Sequence, residues 1–133
     1  MNQDTLKTVE KCILAAQAAI RRGKSVVVDN TNTLLPVREK WLKLGADLGI
    51  PVRAVVLGTP KEVAFLLINY RLWSPLSPPA DRREVPDVVV HTQYKYMVLP
   101  TTLEGFHSVH TVRNELQETE DERANMLFRC YLK

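Results

Sequence analysis

The chain's 133 residues suit one domain, and 45% hydrophobic with 25% charged residues can bury a core under a solvated surface. No apolar run approaches the roughly 20 residues that span a bilayer, and the polar start MNQDTLKTVE is not a secretory leader, so the expected setting is intracellular with no membrane. The formal charge is +3, yet residues 1–72 carry 11 Lys/Arg against 6 Asp/Glu while residues 73–133 carry 7 against 9. A basic first half suits an anionic partner and equally suits an ordinary solvated helix surface.

In chain order, Leu6, Val9, Ile13, Ala16 and Ile20 recur at spacings of three and four and predict a helix over 5–22. Asp4 or Thr5 can cap its start, and Gly23 can end it. SVVVD, residues 25–29, is a β-branched run that predicts a strand buried on both faces. Val37, Trp41, Leu44 and Leu48 make the stripe of a second helix, opened by Pro36 and closed by Gly49. PVRAVVL, 51–57, predicts the next strand; Thr59, Pro60 and Glu62 then predict a capping box for a helix through VAFLLINYRLW. Four of the eight prolines fall between 75 and 86, which makes 74–86 a lid-like loop. Asp87–Val90 is apolar but brief. PTTLEGF predicts a short helix with Thr101 and Glu104 as its capping box, SVHTVR a late strand, ELQETEDER a polar turn or helix, and MLFRCYL a closing strand. The alternation predicts an α/β fold, a parallel sheet with flanking helices, in one domain over 1–133.

Cys12 and Cys130 are far apart and lack CxxC spacing, so both are expected as free core thiols. His91, His107 and His110 have no zinc spacing with either.

The chemistry-bearing candidate is Asp29-Asn30-Thr31-Asn32, directly after three valines. Ligands of open α/β sheets bind beyond the carboxyl ends of strands, and an aspartate there is the physical form of a Walker B acid, which holds Mg²⁺ and positions phosphates. The competing reading is an Asx-turn between strand and helix. Asp4 has the same two faces: an N-cap, or a carboxylate that accepts a proton from an attacking hydroxyl.

Taken together, NQDTL, a helix ending in GK, VVVDNTN, Arg38 and Trp41, then IPVRAV, TPKEV, Arg71 and LPTTLEGF form a long ordered pattern. It resembles the kinase domain of polynucleotide 5′-hydroxyl kinase 3′-phosphatases over essentially the whole chain. The resemblance implies a P-loop kinase-like fold, ATP and Mg²⁺ as cofactors, and nucleic acid with 5′-hydroxyl ends as partner, DNA ahead of RNA, in strand-break repair. It implies nuclear or other intracellular residence. By motif, Asp4 matches the acid that activates the 5′-hydroxyl, and Asp29 the Walker-B-like metal acid with Asn30 beside it. Arg38 matches a substrate-contacting arginine and Arg71 a lid arginine that neutralises charge on the phosphate. The two carboxylates are expected to converge on one pocket.

Two departures accompany the likeness. No G-x-x-x-x-G-K-[ST] occurs in these residues; Gly23-Lys24-Ser25 precedes a strand, whereas a phosphate loop follows one. The fold is therefore expected to be incomplete, lacking the first strand and its loop. Leu66 and Leu67 also stand where the family carries histidine and asparagine, and Phe65-Leu66-Leu67-Ile68 is apolar around the whole helix. Two readings stay open: part of a kinase domain that is inactive alone, or a non-catalytic nucleic-acid-binding or protein-interaction module derived from it. Unpaired strand edges would further favour self-association, or pairing with a missing upstream segment.

Overall fold

The computed structural model describes residues 8–74, 84–113 and 121–131. The described chain falls into two compact units, one built from residues up to 54 with 98–109, the other from 55–97 with the segment from 110 onward.

In the first unit, α1 is Val9–Arg21 and α2 is Leu35–Leu48, and the two helices pack together. The cap of α1 is Thr8, whose Oγ1 accepts from the Lys11 amide at 3.3 Å. The helix thus starts later than its apolar spacing predicts, and the Asp4 and Thr5 cap positions lie outside the described residues. Its end follows the expectation: Gly23 turns left-handed at φ 72, its amide reaches Ile20 O, and Lys24 N reaches Ala19 O. These bonds satisfy the last free carbonyls of the helix. The end of α2 repeats the device, with Gly49 at φ 64 and Ile50 N on Gly45 O. Pro36 opens α2 as expected. Cys12, Ala16, Leu44 and Phe106 are the buried apolar residues of this unit.

Residues 25–28 do not form the predicted doubly buried strand. Only Asp29 makes a bridge, Val26 and Val28 are half-buried, and Val27 is 75% exposed. β-branched residues favour extended backbone, but a ladder needs a neighbouring strand alongside.

Among the described residues the sheet has two strands, β1 (Arg53–Leu57) and β2 (Ser108–Val112). His107 N donates to Val52 O and Gly58 N to Val112 O, so both strands advance in the same direction and the pair is parallel. With helices flanking a parallel sheet, the expected α/β class holds.

In the second unit, α3 is Lys61–Trp73, α4 is Asp87–Tyr96 and α5 is Glu122–Tyr131, and α3 packs against both others. The capping box expected at Thr59 and Glu62 does not form, because Pro60 takes the cap position and no side chain caps the helix. Thr59 instead offers its carbonyl to the Tyr94 hydroxyl of α4 at 2.8 Å. Burial first, and then Glu62, push the Tyr94 hydroxyl above its ordinary pKa. Phe65 of α3 meets His91 of α4 at 5.1 Å between ring centres. The apolar side of α3 thus finds cover within its own unit.

Asp87–Val90, apolar but brief, is the first turn of α4. Two expectations need correction here. The closing strand is a helix: Asp121 Oδ1 accepts from the Arg123 and Ala124 amides, and Ala124 and Asn125 are buried. A short apolar run does not distinguish strand from helix, and the capping aspartate with Glu, Arg, Ala, Met and Leu decides for helix. Cys12 is a buried free thiol as expected, but Cys130 is exposed. Most of the 74–86 loop and of ELQETEDER lies outside the described residues.

Candidate functional site

The segment between the Asp29 bridge and α2 carries the site in the first unit. Asp29 and Asn30 are both exposed. Asn30 Oδ1 accepts from the Thr31 amide at 2.9 Å, one residue on, so this bond is not the two-residue Asx-turn closure. Asn32 takes a left-handed backbone at φ 41, a conformation asparagine tolerates better than most residues. Its Oδ1 is buried with no hydrogen-bond partner among the described residues. A shallow hollow of about 250 Å³ opens here, lined by Val9, Asn30, Thr31, Val37, Lys40 and Trp41.

Behind the loop, in the first turns of α2, lies Arg38, only 3% exposed. Its Nε donates to Glu104 Oε2 and its Nη2 to Glu104 Oε1, both at 2.8 Å. This is the two-pronged carboxylate geometry that a guanidinium makes best. Its Nη1 faces three carbonyl oxygens: Asn32 at 3.1 Å, Thr33 at 3.1 Å and Val98 at 2.9 Å. Thr33 O also accepts from the Val98 amide at 3.0 Å.

Glu104 is set by its own turn. The expected capping box forms over Thr102–Glu104, with Thr101 N donating to Glu104 Oε1 at 3.2 Å and Gly105 at φ 109 ending the turn. The hydrogen bonds from Arg38 hold the Glu104 carboxyl below the usual carboxylate range, against an opposing push from burial, with the Thr101 amide helping.

Asp29, Asn30 and Arg38 therefore stand in one neighbourhood. Arg71 belongs to the second unit, exposed in the last turn of α3. Asp4 lies outside the described residues, so its convergence with Asp29 is not described. Among the described residues, no three His, Cys, Asp or Glu side chains group to hold a metal ion. An exposed carboxylate such as Asp29 fits Mg²⁺ in the manner of nucleotide sites, where one or two carboxylates share the ion with water and phosphate oxygens. No helix among the described residues is long and apolar enough to cross a membrane.

Sequence reasoning missed two participants, Glu104 and Lys40. The S/T-x-x-E pattern exposes Glu104 as a capping residue, but its partner is 66 positions away and no local rule reaches it. Lys40 carried no motif of its own.

Residues 2–100 match the family described as AAA domain. The chain is also similar to a bifunctional polynucleotide phosphatase/kinase of Schizosaccharomyces pombe (strain 972 / ATCC 24843), at 32% identity over 117 positions. That alignment covers 84% of this chain and 26% of the relative. A protein of Acanthamoeba polyphaga mimivirus whose name pairs the same two activities is 33% identical over 138 positions, covering 98% of this chain and 32% of the relative. The chain thus spans about a quarter to a third of the length of the curated relatives it matches.

Proposed function

The chain belongs to the AAA domain family, and from that premise we propose that it is part of a polynucleotide 5′-hydroxyl kinase, a P-loop kinase-like domain that phosphorylates DNA 5′-hydroxyl ends with ATP and Mg²⁺. The observation that carries the proposal is the similarity to two phosphatase/kinases along 84% and 98% of the chain. In support stands an exposed acid-amide pair, Asp29-Asn30, that ends a valine run ahead of α2.

In this reading Asp29, with Asn30 beside it, would hold Mg²⁺. When bound, the ion supplies neutralisation of the charge on the phosphates. Asp4 accepts the proton of the attacking 5′-hydroxyl, Arg71 neutralises charge on the transferred group, and Arg38, which the motif assigns to the substrate side, acts there through the loop backbone that it holds. The 133 residues contain no glycine-rich phosphate loop. Such a loop supplies much of the electrostatic stabilisation of phosphoryl transfer, so the chain alone is expected to be inactive. Strand-break repair and nuclear residence belong to the same reading.

The test is replacement of the aligned 117 positions of the fission yeast protein by this chain, followed by ATP-dependent labelling of a 5′-hydroxyl oligonucleotide. The reading expects labelling by the chimera and none by the chain alone. A folded chimera that does not label contradicts it.

A second reading, a non-catalytic nucleic-acid-binding module, draws on the exposure of Lys11, Arg21, Arg22 and Lys24. It expects salt-dependent oligonucleotide binding by the chain together with an inactive chimera. Exposed Val27 in one unit and Val55 and Leu57 in the other also favour self-association of the isolated chain. Size-exclusion chromatography giving a concentration-independent monomer would count against that.

A further inference from the structure

We infer that Arg38 and Glu104 form a buried clamp that fixes the backbone of the Asp29–Thr33 loop, so that Arg38 is a positioning residue which sets the loop and does not touch the polynucleotide. The guanidinium is almost wholly enclosed, and each of its three nitrogens faces an oxygen of the protein. Its charge is matched by Glu104, so the pair offers a phosphate no net attraction. A phosphate reaching for Arg38 would have to displace a carboxylate held in two-pronged geometry.

What the clamp does hold is the loop. Two of its carbonyl acceptors are Asn32 and Thr33, and Asn32 has the one non-glycine backbone of positive φ among the described residues. Such a conformation persists where its surroundings over-determine it. Here the surroundings are a charged donor on the Asn32 carbonyl itself, and a second link from Val98 to Thr33. Glu104 is placed in turn by its capping box, so the short turn of PTTLEGF is tied through one arginine to the loop that presents Asp29 and Asn30. That this loop faces magnesium and phosphate rests on the kinase reading; the clamp does not.

The experiment uses R38K, which keeps charge but loses the planar fork, and E104Q, which keeps shape but loses charge. In the full chain, amide exchange across 29–33 is compared with exchange across α2. Both variants are expected to speed exchange about tenfold in the loop and to leave α2 within about twofold. In the chimera both are expected to lower kcat by similar factors with KM for the oligonucleotide unchanged.

A rise in KM with R38K and no effect of E104Q would make Arg38 a substrate contact and overturn the clamp. Equal loosening of loop and helix would reduce it to general stability. The Arg38 Nε–H resonance of the unaltered protein decides without any variant: slow exchange supports the clamp, and exchange as fast as an exposed arginine's contradicts it. A chimera inactive before any substitution at 38 or 104 removes the kinase reading and leaves the exchange result to judge the clamp.

Discussion

Residues 25–28 and residues 53–57 are both short and valine-rich, and both lead into a polar turn ahead of a helix. The second run is paired: β1 lies beside β2, bounded by bonds from His107 to Val52 and from Gly58 to Val112. The first ends in a single bridge at Asp29 and leaves Val27 75% exposed. Intrinsic preference is the same in both, yet among the described residues only the second run is a strand with a ladder beside it. The first run's outgoing loop is held by the Arg38 side chain on the Asn32 and Thr33 carbonyls and by the Val98 amide on Thr33.

That contrast can be broken in several places. Arg38→Met should have the largest effect on stability, about 3–5 kcal/mol in urea unfolding, because it leaves the Glu104 carboxylate buried without its cation. A loss below about 1 kcal/mol would mean that the clamp is not what orders this segment. Aspartate placed in each run compares them directly. Val56→Asp, on the half-buried face of β1, should cost at least about 2 kcal/mol; Val27→Asp should stay within about 0.5 kcal/mol. Equal losses would show that the first run is packed as a strand after all. Gly45→Ala should cost about 1–3 kcal/mol, since a methyl there collides with the Val52 side chain just ahead of β1.

The smallest effect is on pH. Glu104 is ionised more readily folded than unfolded, so its contribution is complete above the unfolded carboxyl pKa of about 4.3 and is lost as pH falls through the lower folded value. The acid limb of a stability-against-pH curve should therefore flatten in E104Q.

Much of the fold was legible because local signals carried it. Pro36, Gly23 and Gly49 fixed helix ends by backbone geometry, and the Thr101–Glu104 box fixed its turn. The failures were of two kinds. Whether 25–28 forms a strand depends on a distant neighbour, whereas MLFRCYL reads as strand until the nearby Asp121 is seen to cap a helix. In the candidate site, the exposed position of Asp29 and Asn30 was legible, as residues after an apolar run. The surroundings of Arg38 were not, because a pair separated by 66 residues leaves no trace in spacing. Asp4 lies outside the described residues, so its partnership with Asp29 is left to experiment.

If Asp29 holds magnesium and phosphate for a 5′-hydroxyl kinase, as proposed, the most direct measurement is oligonucleotide labelling by the chimera carrying Asp29→Asn. The account predicts transfer reduced about a hundredfold or more with the melting temperature within about 1 °C of the parent chimera, since the exposed carboxylate contributes to the site and little to the fold. Transfer within twofold of the parent would contradict it.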